Sequence, residues 1–409
     1  MAVRDLLNRS AYRLDDLIFP LFVYESENVY KQSLMSGHMN KSKVCPKNLE
    51  SLLDHLTNLG ISQILLFGVP KKRNETGDSS FAKHGVIQNS IRKIRENFGY
   101  SFRIFSDVCL CQYNTSGHCG ILTKKVNKYA FKRNLYRNAE IDNDRTLESL
   151  GRISLSLCDS GTDFIAPSAM MDGQVLYLRK LLNTNGFEHV KILSYSAKHN
   201  SCLYSPFRAN NYLESGFIDK SSYQCSFYNK RESLREMLID IKEGSDWVMI
   251  KPSLWYMDII RQARELVNVP IVVQNVSGEY ALLRSTMNPD SVSGPRVDDN
   301  RIGENKLNLV NGVFGLNQRK IESISRERSQ LKKPNNLKKP MMDNDFLDAS
   351  ARLSINAKSS PTASGENRFY NPDPILNFIR LLKRAGADKI ITYFLLDILD
   401  ENSMGKRTI

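Results

Sequence analysis

Between Ser106 and Leu122 the chain reads SDVCLCQYNTSGHCGIL, which gathers Cys109, Cys111, Cys119 and His118 into one short stretch. Thiolates suit zinc, and the C-x-C-x7-C spacing supplies two ligands from one turn while the loop returns a third. Three buried thiols without a metal are the plain alternative, and spacing alone leaves that open. There is no second cysteine pair of the zinc-finger kind, and three ligands leave a coordination position for substrate. Cys45, Cys158, Cys202 and Cys225 lie outside any ligand spacing. Seven cysteines, an odd number in a chain of this size, do not read as a disulfide framework.

Two lysines end apolar runs, Lys198 in ILSYSAK and Lys251 in WVMIKP. Either one alone is equally well explained as an exposed ion-pair donor. Held together in a water-poor pocket, each ammonium disfavours the other and desolvation lowers both pKa values. The neutral amine that results is what a carbonyl substrate needs to form a Schiff base. Arg208 in YSPFR, and Lys220 and Gln224 in DKSSYQ, follow Lys198 and suit an anionic small substrate. For Lys220 taken alone, surface ion pairing serves as well.

The elements that must position these groups show as apolar runs: LIFPLFVY, ISQILLFGV, FRIFSDVCL, DFIAPS, VKILSYS, WVMIKPS, PIVVQNVS and KIITYF. Most are apolar on both faces, as buried parallel strands are. Amphipathic segments separate them. In NLESLLDHLTNLG, Leu49, Leu52, Leu53, Leu56 and Leu59 share a side and Gly60 ends the helix. In DPILNFIRLLKRAGAD, Asp373 caps, Pro374 starts the helix, and Ile375, Phe378, Ile379 and Leu382 form the buried face up to Gly386. About eight strand–helix alternations predict an α/β chain folded as a (β/α)8 TIM-type barrel, whose chemistry lies at the C-terminal strand ends. Asp107, Cys109, Cys111, Lys198, Lys251, Ser277 and Tyr393 all fall there. No internal repeat is visible.

From about Arg284 to Tyr370 the sequence turns polar and rich in Asn, Ser, Lys and Pro. Such a segment cannot bury enough apolar surface to offset its ordering entropy. The expected organisation is therefore a first barrel part (1–284), a disordered insertion (285–369), and a last helix and strand (370–409). A shorter basic insertion, TKKVNKYAFKRNLYRNAE, follows the cysteines. With 41% apolar and 25% charged residues, no bilayer-length apolar run and no signal-peptide layout, the chain reads as a cytoplasmic globular protein without a membrane partner. The net charge of +13 is scattered or lies in runs such as LKKPNNLKKP, so a nucleic-acid partner is not expected.

SDVCLCQYNTSGHCGIL, DFIAPSAMMDGQV, LSYSAKHNSCLYSPFR, DKSSYQ, DWVMIKPSLWYMDIIR, VSGEYAL and KRAGADKIITYFLLD, in this order, resemble the delta-aminolevulinic acid dehydratases (porphobilinogen synthases), most nearly the gammaproteobacterial zinc and magnesium form. The resemblance implies a barrel with an N-terminal arm, short in this chain, that condenses two molecules of 5-aminolevulinate to porphobilinogen in a homo-octamer. It implies that Lys251 holds the first substrate as a Schiff base, with Ser277 and Tyr393 on its carboxylate. Lys198 holds the second, with Arg208, Lys220 and Gln224. Cys109, Cys111 and Cys119 bind zinc, Asp107 and Ser168 line the site, and Glu236 in SLREML binds an allosteric magnesium.

The chain departs from the family's usual residues at Ser116, His199, Ser205, Gln274 and Asn275. Two other functions remain open on sequence alone. One is a different lysine-dependent lyase or aldolase, which would need one lysine and no metal. The other is a decayed, non-enzymatic homologue whose basic insertion binds an acidic partner; retention of both lysines and all three cysteines counts against it.

Overall fold

The computed structural model describes residues 13–35, 39–123, 140–204, 218–287 and 374–404. Arg208, Ser205, Asp373, the N-terminal arm, nearly all of the basic stretch after the cysteines and the 288–369 part of the expected insertion lie outside them.

Each of the eight apolar runs forms a strand: β1 (Leu17–Tyr24), β2 (Gln63–Val69), β3 (Arg103–Val108), β4 (Phe164–Pro167), β5 (Lys191–Lys198), β6 (Trp247–Lys251), β7 (Ile271–Gln274) and β8 (Lys389–Ile391). All pair in parallel in chain order, and β8 closes on β1 with Leu17 opposite Ile390. The fold is a closed (β/α)8 barrel. A two-residue strand, Lys43–Val44, adds to the edge of β1. β1, β2 and β7 are buried at every position, which is why their sequences run apolar without alternation.

Helices cover the barrel: α1 (Leu49–Asn58), α2 (Val86–Phe98), α3 (Asn143–Asp159), α4 (Gln174–Thr184), α5 (Lys230–Glu243), α6 (Met257–Leu266), α7 (Ser277–Met287) and α8 (Pro374–Ala385). α8 buries Ile375, Phe378, Ile379 and Leu382, the face read from its spacing. α1 buries Leu49, Leu53 and Leu56, with Leu52 and Leu59 packed partly against the core. The sequence reading stopped at the last strand, whereas a further helix, α9 (Leu395–Met404), follows β8. Its LLDIL start buries Leu395, Leu396, Ile398 and Leu399.

A tripeptide recurs at the base of the barrel, although no repeat was read in the sequence. Gly161-Thr162-Asp163, Gly244-Ser245-Asp246 and Gly386-Ala387-Asp388 precede β4, β6 and β8. Each glycine has positive φ (99°, 109° and 121°), and an arginine side chain lies against it where a Cβ would stand. Each aspartate accepts a hydrogen bond from the first or second residue of the preceding strand: Ile104 at 2.7 Å, Ile192 at 2.9 Å and Ile271 at 2.7 Å. Each also faces an arginine of the helix that leads into that strand, on α2, α4 and α6: Arg95 at 2.6 Å, Arg179 at 4.0 Å and Arg264 at 2.7 Å. The device fixes the end opposite the chemistry, where barrels concentrate stability.

Candidate active site

Parallel pairing of β5 with β6 places Lys198 and Lys251 directly opposite each other in register. Both ammonium nitrogens lie over the ring of Tyr195, at 5.6 and 5.3 Å from its centroid. The two amines thus share one aromatic floor at the C-terminal mouth, because β5 and β6 both end there. They open into a cavity of about 620 Å3, its mouth included, which is also lined by Asp107, Cys111, Ser168, Lys220, Gln224, Ser277 and Tyr393. Phe22 and Phe67, stacked at 4.8 Å, form an apolar wall.

The two lysines are not equivalent. Burial, with the Lys198 charge adding to it, pushes Lys251 down to about 7, although it keeps some contact with water through the cavity. Lys198 corrects the expectation that both would fall. Burial pulls it down, but the negative charge of Cys119, Cys109, Cys111 and Asp107 outweighs burial and raises it above the usual lysine range. It donates to the Ser168 carbonyl at 2.5 Å. Lys251 is the amine ready to attack at neutral pH, and Lys198 is an ammonium held by its neighbours.

Those neighbours are the three cysteines. Their sulfurs lie within 4.8 Å of one another, and Cys109 and Cys111 are 3.4 Å apart. Cys109 and Cys119 are buried, and Cys111 reaches the cavity. Hydrogen bonds from Cys109 and Cys111, then the Lys220 and Lys198 charges, hold the Cys119 thiol well below the usual range. Cys109 is pushed up by the same shared contacts. One thiolate shared among three converging sulfurs, one of them open to a cavity, is a donor set that fits a thiophilic metal. His118 is outside the cluster; its Nδ1 meets the Tyr223 hydroxyl at 3.1 Å. Tyr223, which spacing did not single out, also accepts from the Cys119 backbone N–H at 3.2 Å. Its place inside DKSSYQ, between two predicted site residues, was the available signal.

Lys220 lies 3.3 Å from the Cys119 sulfur, so it joins the thiols to the cavity and is no surface ion-pair donor. Gln224 is buried, and its carbonyl oxygen has no partner among the described residues. Ser277 and Tyr393 line the Lys251 side, and Asp107 and Ser168 the Lys198 side, where Lys198 meets Ser168. Burial raises the Asp107 carboxyl against the pull of Ser168 and both lysines. Glu236 is not in this cavity. It lies on α5 in a separate acidic cleft with Asp172, Glu232 and Asp240, and burial plus the charges of Asp172 and Glu232 raise its pKa. His199 stacks on Tyr256 at 3.7 Å and bonds Ser233 at 2.8 Å, so it is held in the packing behind the site.

Sequence reading also missed Glu279, two residues after Ser277. It is fully buried, and its carboxylate accepts from the backbone N–H groups of Ser253 (2.9 Å), Leu254 and Val276 (2.7 Å) and from the Ser253 hydroxyl. It therefore ties the turn after Lys251 to the turn that presents Ser277. Glu279→Leu leaves three buried N–H groups unpaired, and we expect it to cost roughly 3 kcal/mol or more in a denaturant titration. Glu279→Gln, which keeps one acceptor oxygen, should lose distinctly less.

A (β/α)8 barrel with paired amines and converging thiols at its C-terminal mouth is a barrel enzyme whose site suits carbonyl chemistry. The family profile "Delta-aminolevulinic acid dehydratase" matches residues 1–297. A delta-aminolevulinic acid dehydratase of Methanothermus sociabilis is 39% identical over 295 residues, covering 71% of this chain and 85% of that protein. One from Helicobacter pylori is 38% identical over 285 residues, covering 69% and 82%. The chain belongs to the delta-aminolevulinic acid dehydratase family, lyases of porphyrin biosynthesis also called porphobilinogen synthases. The crystal structure of the Toxoplasma gondii enzyme in complex with the reaction product porphobilinogen aligns with a TM-score of 0.69 at 23% identity, covering 100% of this chain and 92% of that one, and supports the barrel fold. The gammaproteobacterial variety read from the motifs is narrower than these comparisons carry.

Proposed function

We propose that this chain condenses two molecules of 5-aminolevulinate into porphobilinogen with loss of two waters. The observation that carries the reading is the in-register pair Lys198 and Lys251 within one cavity, in a member of this family. A reaction joining two ketones calls for two amines, and a single-lysine aldolase does not.

In this reading Lys251, which burial leaves with a large neutral fraction at physiological pH, attacks the ketone of the first substrate and expels water, forming a Schiff base. Ser277 and Tyr393, on the same wall, donate to that substrate's carboxylate. Lys198 captures the second substrate once it has given up its proton. Lys220 and Gln224 hold the second substrate's acidic end, and we assign Arg208 to the same carboxylate by its motif. Asp107 and Ser168 stand beside Lys198 to receive and orient protons. We assign zinc to Cys109, Cys111 and Cys119. When bound there it would supply a Lewis acid beside the second substrate and neutralise the thiolate charge that keeps Lys198 protonated.

Glu236, among carboxylates that burial and mutual repulsion push up, suits a divalent cation, and we assign it the allosteric magnesium. That pairing of zinc and magnesium is what supports the gammaproteobacterial variety. We propose a homo-octamer, as the resemblance implies, and a cytoplasmic location, as the sequence composition was read. No helix among the described residues is long and apolar enough to cross a membrane. Residues 285–369 we read as an insertion in the barrel sequence, since β7 and β8 pair in parallel without it; its first three residues, 285–287, belong to α7.

The test is direct. The full chain, incubated with 5-aminolevulinate and zinc, yields porphobilinogen identified by mass. A folded sample that forms none overturns the proposal in favour of a decayed homologue.

A further inference from the structure

Gln274 is the last residue of β7, one strand along from Lys251 and in register with Ile391, two residues before Tyr393. Its side chain is fully buried, yet it lines the cavity beside Lys251, Ser277 and Tyr393. Neither its carbonyl oxygen nor its amide nitrogen makes a hydrogen bond to any described residue. The Tyr393 hydroxyl is close enough to feel the amide but is not bonded to it in good geometry. Buried polar atoms are nearly always paired, and an unpaired amide costs stability unless something fills the gap. A side chain whose two polar atoms are left unpaired behind a cavity wall is suited to pairing with what enters the cavity.

We propose that Gln274 contacts substrate and sets selectivity for a carboxylate-bearing ketone at the Lys251 half of the site. The inference rests on the Schiff-base reading of Lys251. A primary amide offers two N–H donors to a carboxylate that Ser277 and Tyr393 already approach with hydroxyls. All three are neutral, which suits a pocket whose nucleophile must remain an uncharged amine. Gln274 is also one of the positions where the sequence reading found a departure from the family's usual residues.

The experiment traps ketones on the full chain with borohydride and maps the modified lysine by peptide mass. The probes are 4-oxopentanoate, which has a carboxylate, and pentan-2-one, which does not. In Gln274→Leu, the 4-oxopentanoate concentration for half-capture on Lys251 should rise about 10- to 100-fold, as for loss of a hydrogen bond to a charged group, while pentan-2-one capture is unchanged. Gln274→Glu keeps the shape and adds a negative charge, so it should weaken 4-oxopentanoate capture further and spare pentan-2-one. It also serves if the leucine variant fails to fold. Equal shifts for both ketones would reduce Gln274 to packing, and no shift for either would remove it from the site; both results overturn the inference. If the unaltered chain captures neither ketone on Lys251, the Schiff-base reading fails and takes this inference with it.

Discussion

Lys251→Met removes porphobilinogen formation, by on the order of 10⁴-fold, while the barrel stays folded. Methionine keeps the volume and the apolar stem but has no nucleophile, and no other described amine can take its place. Lys198 is the nearest, and the charge of the thiols and Asp107 holds it as an ammonium. Borohydride trapping should label Lys251 in the unaltered chain and leave Lys251→Met unlabelled at the first site. The same amine sets a pH dependence. Lys251 is pushed down to about 7, so its reactive fraction falls roughly tenfold per unit as pH drops well below 7, and levels off above it. First-site capture should follow that curve. A capture rate still rising towards pH 10 would show a lysine with no depression, and the assignment of Lys251 as the first nucleophile would be lost.

How much of this could be read from the chain before folding depends on how local each cause is. The eight strands were legible because burial on both faces forces continuous apolar runs, and the lysine pair because both runs end in the residue that matters. The face of α8 was legible because helical spacing decides it. The unequal charge of the lysines was not, since Lys198 owes its state to sulfurs far away in sequence, on the loop after β3. Glu279 was not, because its partners Ser253 and Leu254 come from the turn after another strand. The Gly-x-Asp device also escaped notice. Its three copies are unevenly spaced along the chain, and their likeness lies in what each aspartate and arginine meets. Gln274 read as a minor departure until its unpaired amide was placed beside the cavity.

Chelation should abolish product yet leave capture at Lys251 intact, and this separation distinguishes a working metal site from three buried thiols. The thiol cluster lies on the Lys198 side, where Cys119 carries the shared negative charge and Lys198 and Lys220 balance it. While that charge stands, Lys198 keeps its proton, and an ammonium does not attack a ketone. In chelated protein, labelling at Lys198 should therefore be lost at neutral pH and recover only towards strongly alkaline pH, since its pKa is raised and not lowered. Cys111→Ala should reproduce the effect. Cys111 is the thiol that reaches the cavity, and its loss should cut bound zinc, measured by metal analysis, and product formation by at least about a hundredfold. Lys251 labelling should not change. If Cys111→Ala keeps full activity after exhaustive chelation, the cysteines are ordinary buried thiols. If both lysines lose their label together, the cluster supports the whole mouth of the barrel and not the second amine.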